Sequence, residues 1–266
     1  MSSPSVLVPL VTPLDTQGNV CRQSVERLIR ACSPHVDGFI PCLTSGEGWS
    51  LSTEQWSDML RHTLACAGAT HRVIVGIELA TTEAVIERAA LAAELGAQAI
   101  MVTSPFGGRL DQPALVAHYR AIQAASDLEM LVYNEAALSG NEKSLETLLA
   151  IARLPRVTGL KDSPSAPRTQ AQIDQLRQAG LAYYIGWEKD LAGEHVNDGN
   201  VVSLANLEPA LCRVACQPRQ PQVATQIGRL DELFSLGEDD WYAHVKRELS
   251  ARGVLDCALT TQERRT

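Results

Sequence analysis

Eight short apolar runs punctuate the chain. They begin near Val6 (VLVPLV), Asp37 (DGFIPC), Arg72 (RVIVGIE), Ala99 (AIMVTS), Glu129 (EMLVYN), Val157 (VTGLK), Ala182 (AYYIGW) and Asn200 (NVVSL). The first six steps between these starts are 25 to 35 residues long, which is room for a strand, a three-turn helix and two turns. The last step is 18 residues, so the seventh helix must be short. Between the runs the apolar period changes from continuous to helical. In residues 82–95, Val85, Ile86, Ala89 and Ala92 form a stripe, with Thr81 or Thr82 as cap and Gly96 as stop. Residues 52–67 repeat the pattern between Leu51 and Gly68, and three further helices are predicted over 207–216, 222–236 and 241–252.

Continuous apolar strands separated by helices imply a parallel sheet covered on its outer face. Eight such units favour an α/β fold closed into a (β/α)8 TIM barrel over an open doubly wound sheet. No linker, repeat tract or charge block divides the 266 residues. The expected organisation is a barrel over 1–206, then the last barrel helix and a short C-terminal helical extension over 207–266. In such barrels the chemistry sits where strands end. The positions to inspect are therefore 9–12, 44–47, Glu78, 103–106, 133–135, Lys161 with Asp162, 186–188 and Ser203.

Charge narrows the range of partners. The 23 basic and 31 acidic residues give −8, with no basic footprint for nucleic acid or an acidic membrane, although a local cation can still hold a small anion. Seven cysteines without CxxC spacing fit free thiols better than a disulfide framework or a zinc knuckle. No apolar stretch reaches about 18 residues, and Met1 to Ser5 lack the basic start of a signal peptide. A soluble cytoplasmic protein is expected.

Of the four lysines, Lys143, Lys189 and Lys246 lie in polar or helical surroundings, whereas Lys161 ends a predicted strand. Desolvation there would lower its pKa and leave a free amine able to attack a carbonyl; an ion pair with Asp162 is the competing role. The turn Leu43-Thr44-Ser45-Gly46-Glu47 can grip a small carboxylate through hydroxyl and amide donors, or serve only as a capping turn with Glu47 on backbone amides. Tyr133, closing the fifth run before Asn134, can carry protons beside the lysine or be a satisfied core tyrosine.

Together, Thr44-Ser45-Gly46-Glu47, Tyr133-Asn134 and Gly159-Leu160-Lys161-Asp162 resemble the dihydrodipicolinate synthase/N-acetylneuraminate lyase family. The opening Val8-Pro9-Leu10-Val11-Thr12-Pro13-Leu14 is similar as well, and the likeness runs in order to Asn206. The resemblance implies (β/α)8 barrels, commonly homotetramers, that form a Schiff base with pyruvate or another 2-oxo acid. It implies Lys161 as the imine nucleophile, Tyr133 as the proton shuttle, and Thr44 and Ser45 as the carboxylate cradle that also helps relay protons, with Thr44 counted among the catalytic residues and Gly186 and Ser203 lining the pocket. It implies no metal and no organic cofactor, because the iminium is itself the electron sink. The partners are a 2-oxo acid, an aldehyde and further copies of the chain, as dimer or tetramer.

Two departures stand out. Leu138 occupies the place of the family's arginine for the aldehyde carboxylate, and in Ser104-Pro105-Phe106-Gly107-Gly108 a glycine stands where a loop tyrosine of the proton relay is expected. Glu78 replaces a small residue and Glu135 an apolar one, so that with Glu47, Asp162 and Glu188 the rim is acidic. The expected activity is a Schiff-base aldolase or lyase joining or splitting a 2-oxo acid and an aldehyde that bears hydroxyl or amine groups and no distal carboxylate. The alternatives are the dihydrodipicolinate-forming reaction itself, a carboxylate-rich divalent-metal barrel and a non-catalytic 2-oxo acid binder. Metal chemistry has little pattern behind it: the six histidines are scattered without HxH or HExxH. Trp49 and Trp187 either narrow the mouth or simply pack.

Overall fold

The computed structural model describes residues 3–106 and 108–263. Its eight strands are β1 (Ser5–Pro9), β2 (Gly38–Ile40), β3 (Arg72–Ile77), β4 (Ala99–Val102), β5 (Glu129–Glu135), β6 (Val157–Ser163), β7 (Ala182–Ile185) and β8 (Gly199–Asn200). Each pairs in parallel with the next, and β8 returns to β1 through Ser5–Gly199 and Val6–Asn200, closing the barrel. The helices are α1 (Arg22–Cys32), α2 (Thr53–Ala67), α3 (Thr82–Glu94), α4 (Gln112–Ala125), α5 (Leu145–Ala152), α6 (Gln170–Gln178), α7 (Pro209–Val214), α8 (Pro221–Leu233) and α9 (Trp241–Ala251). This is the expected (β/α)8 barrel with a helical extension. The compressed seventh unit carries only a 3-10 turn, Glu188–Asp190, before β8.

Local chemistry sets the helix starts. Ser52 accepts the Gln55 N–H while Gln55 reaches back to the Ser52 N–H, a reciprocal cap that satisfies two end donors of α2. Thr169 caps α6 by the same reciprocal pair with Gln172, while Thr81, Asp111 and Ser144 cap α3 to α5 by accepting a single backbone N–H. No helix among the described residues is long and apolar enough to cross a membrane.

The two-residue period of the strands sorts side chains into two shells. Outward residues such as Val75, Ile100, Val132 and Leu160 join the helices in one buried cluster that runs from Val6 to Leu255. Inward residues Leu7, Ile40, Ile74, Ala99, Met101, Leu131, Tyr133, Tyr184 and Val201 fill the cylinder. Moving along the inward faces toward the strand ends, the chemistry changes. Ile74 and Gly76 lead to Glu78, Leu131 and Tyr133 to Glu135, and Gly159 to Lys161 and Ser163. The bottom of the barrel is thus an apolar plug, and the top carries buried ionisable groups.

Candidate active site

Lys161 lies beside Tyr133 in strand register, on one side of β6, and beside Tyr184 on the other. It is only 4% exposed, and its Nζ sits 3.9 Å from the centre of the Tyr133 ring. Among the described residues no hydrogen-bond acceptor holds this amine. Burial pushes its pKa down to about 8 against the opposing pull of Glu78, Glu188 and Glu135. Asp162, the competing partner, points the other way by strand alternation. Arg168 pairs with it, Asn134 Nδ2 donates to it at 2.7 Å and the Tyr183 hydroxyl at 3.1 Å.

Lys161 is not singular in its burial, as its sequence context suggested. Lys143 and Lys246 are also buried, at 1% and 0% exposure. Polar neighbours in sequence do not report where a loop or helix packs, and both amines are held by acceptors. Lys143 Nζ donates to Ser104 Oγ at 2.6 Å and to the Tyr133 carbonyl at 3.0 Å, bracing the strand that carries the phenol. Lys246 pairs with Glu47 and donates to the Leu259 carbonyl at 2.9 Å. What sets Lys161 apart is the missing acceptor.

The turn after β2 brings the hydroxyls into place. Thr44–Gly46 is a single 3-10 turn, and Glu47 ends it in the left-handed region, with φ 59°. Thr44 Oγ1 donates to Glu78 Oε1 at 2.5 Å, and Ser45 Oγ lies 2.8 Å from Ser203 Oγ. Glu47 does not sit on the turn's own amides. Besides Lys246 it takes the Thr261 N–H at 2.6 Å and the Thr261 hydroxyl at 2.8 Å, so it tethers the turn to the C-terminal segment. With Glu47 and Asp162 both spoken for, the acidic rim reduces to Glu78, Glu135 and Glu188 around the amine.

Those three carboxyls are buried, and burial raises the pKa of each, that of Glu78 to about 8. Glu78 Oε2, Glu135 Oε2 and Ser163 Oγ are fully buried without a hydrogen-bond partner among the described residues. Glu135 Oε1 is held by the Leu138 N–H at 2.5 Å, so Leu138 contributes its backbone, while its side chain is 40% exposed. Tyr133 is buried, its proton is held well above the usual phenol range by burial and by Glu135 and Glu78, and the Thr44 and Ser163 hydroxyls partly offset this. Ser163 was not singled out from sequence, although the period of two from Lys161 marks it as sharing the inward face.

Gly186 follows β7 with its N–H on the Asp162 carbonyl at 2.9 Å, and a Cβ there would collide with Ser163 Oγ and come to 2.8 Å from that carbonyl oxygen. Gly186→Ala is expected to cost about 1–3 kcal/mol through this overlap, read as a lower urea midpoint with an unchanged slope. Trp49 packs edge-on against Tyr242 at 5.6 Å, and Trp187 donates to the Pro164 carbonyl at 3.3 Å, so both have packing roles. No group of three or more His, Cys, Asp and Glu suited to a metal ion occurs among the described residues. Gly107 and the N-terminal Met1 and Ser2 lie outside the described residues.

Comparison with known proteins places this geometry in context. The model of the dihydrodipicolinate synthetase family matches residues 2–219. A 4-hydroxy-tetrahydrodipicolinate synthase from an Exiguobacterium species is 29% identical over 182 residues, 68% of this chain but only 62% of the relative's own length. One from Methylococcus capsulatus is 27% identical over 214 residues, 79% of this chain and 74% of the relative. Among solved structures, a chloride-inhibited dihydrodipicolinate synthase from Acinetobacter baumannii complexed with pyruvate superposes with a TM-score of 0.88 at 26% identity, covering 97% of this chain and 92% of that one.

Proposed function

The chain belongs to the dihydrodipicolinate synthetase family, and from that premise we propose that it is a lyase that makes or breaks a carbon–carbon bond by way of an imine between Lys161 and pyruvate or a close 2-oxo acid. The observation that carries this reading is the Lys161 amine itself, buried, without a hydrogen-bond acceptor among the described residues, and lowered to about 8. A lysine in that state reaches its nucleophilic form near neutral pH, whereas an exposed one stays protonated up to about 10. In this reading the Ser45–Ser203 hydroxyl pair and the Thr44 turn receive the carboxylate. Attack on the keto carbon and loss of water give an iminium that withdraws electrons from the neighbouring carbon. Tyr133, face-on to the amine, shuttles protons at the new carbon–nitrogen bond.

Two finer readings concern the second substrate. The names of the relatives favour 4-hydroxy-tetrahydrodipicolinate synthase itself, which implies an aldehyde bearing a carboxylate. A different aldehyde, rich in hydroxyl or amine groups, is favoured by Leu138 in the place of a cation and by the buried oxygens of Glu78 and Glu135, without a partner among the described residues, which can accept from such donors. A screen of anionic against neutral and amino aldehydes with the pyruvate-loaded enzyme separates them, since turnover confined to anionic aldehydes supports the first and discards the second. The same reading takes the working form as a homo-oligomer, which sedimentation would measure.

The direct test is borohydride reduction in the presence of pyruvate, followed by mass spectrometry. A pyruvyl adduct on Lys161 is expected, and its rate of formation should rise as pH approaches about 8 and the ammonium gives way to the amine. An unmodified Lys161, or an adduct formed equally well on other lysines, would remove the reading. An adduct without turnover of any aldehyde would leave a 2-oxo acid binder.

A further inference from the structure

Resting on the imine reading, we propose that Glu78, acting through the Thr44 hydroxyl, supplies and recovers the protons that imine formation requires. Three observations meet at this side chain. It lies on the inward face of the barrel one step beyond β3, is 2% exposed, and is engaged by no ion pair among the described residues. Its Oε1 takes the Thr44 hydroxyl proton at 2.5 Å, which turns the Thr44 lone pairs outward to accept from another group. Its Oε2 is buried without a partner, a state that costs about 1–3 kcal/mol and that a purely structural carboxyl would be expected to avoid.

The chemistry needs such a group. Addition of the Lys161 amine to the keto carbon forms the C–N bond, and one amine proton passes to the former keto oxygen. Loss of that hydroxyl as water requires a second proton while the nitrogen lone pair forms the C=N bond. A neutral Glu78 with its proton on Oε1 supplies it once the Thr44 hydroxyl rotates to donate to the leaving group and accept from the carboxyl, leaving an iminium cation and a Glu78 anion, so charge is conserved. When the carbon next to the iminium loses a proton to give the enamine, that proton returns to Glu78 by the same path. Burial favours the neutral starting form of this carboxyl, raising its pKa to about 8. The titratable groups that face it are Glu135 and Tyr133 from β5, Lys161 from β6 and Cys42 beside the β2 turn, while Glu188 shares Lys161 from the β7 side.

Glu78→Gln tests the proposal, because the amide keeps the size of the side chain and can still accept from Thr44. In the wild-type protein the rate of borohydride-trapped adduct formation should follow a bell, rising as Lys161 deprotonates and falling as Glu78 does. In E78Q the falling limb should vanish and the maximal rate drop about 10²-fold or more, with the rising limb displaced to lower pH because an anion that supported the ammonium is gone. Glu78→Asp, which keeps a carboxyl, should restore the falling limb and part of the rate. Equal maximal rates and the same falling limb in wild type and E78Q would overturn the proposal. So would a lower KM for pyruvate with a higher rate in E78Q, which would make Glu78 a competitor for the carboxylate cradle. Absence of any adduct in the wild type would instead sink the imine reading on which this rests.

Discussion

Lys161→Met should abolish the borohydride-trapped pyruvyl adduct and lower turnover by about four orders of magnitude or more, the scale seen when the nucleophile of a covalent mechanism is deleted. The loss should occur without unfolding. Among the described residues the Lys161 amine holds no hydrogen bond, so its removal strands no donor or acceptor there. Methionine refills nearly the same volume in an inward position flanked by Tyr133 and Tyr184. The pH dependence has a definite sign. A lysine whose pKa falls from 10.5 to about 8 on folding binds fewer protons in the native state than in the unfolded one. Its charged form therefore opposes folding fully below about pH 8, and the penalty fades as pH rises toward 10.5. Urea melts at pH 6 should find Lys161→Met at least as stable as the wild type, with any advantage shrinking above pH 8. A large fall in stability would show instead that the amine has a structural partner and would remove it as a nucleophile.

Lys246→Met should have the largest effect on stability, for the opposite reason. Here the amine is paired, and its loss leaves Glu47, fully buried, with the Thr261 donors alone among the described residues. Breaking one side of a buried ion pair costs about 3–5 kcal/mol, whereas replacing both partners by apolar groups can be nearly neutral. Urea denaturation should therefore show a large loss in Lys246→Met and substantial recovery in the double variant with Glu47→Leu. Glu47 immediately follows Thr44–Gly46, so the single variant should also raise KM for pyruvate by loosening the turn that presents Thr44 and Ser45. Unchanged stability in Lys246→Met would mean that the pair is not what fastens the C-terminal helices to this turn.

Much of this architecture was legible in the residues. Strand and helix periods are local properties, so the eight apolar runs, the helix over 52–67, the cap of α3 at Thr81 or its neighbour Thr82, and the short seventh connection were readable one segment at a time. Whether Lys161 pairs with Asp162 stayed open along the chain; the folded strand puts them on opposite faces, with Asp162 on Arg168. That separation, together with the closure of eight units, determined which groups could meet at the strand ends.

What a carboxylate or an amine does once there is a pairwise property, and only the closed barrel decided it. Glu47 and Glu78 are both acids at strand ends, yet one is tied to a lysine 199 residues away and the other to a threonine hydroxyl 34 residues away. Likewise Lys143 and Lys246 looked like surface residues, because their neighbours in sequence are polar and say nothing of the carbonyls that packing brings to them. Charge in a folded protein is governed by desolvation and by the nearest partner. Those depend on through-space distances that the order of residues along the chain leaves open until the sheet closes on itself.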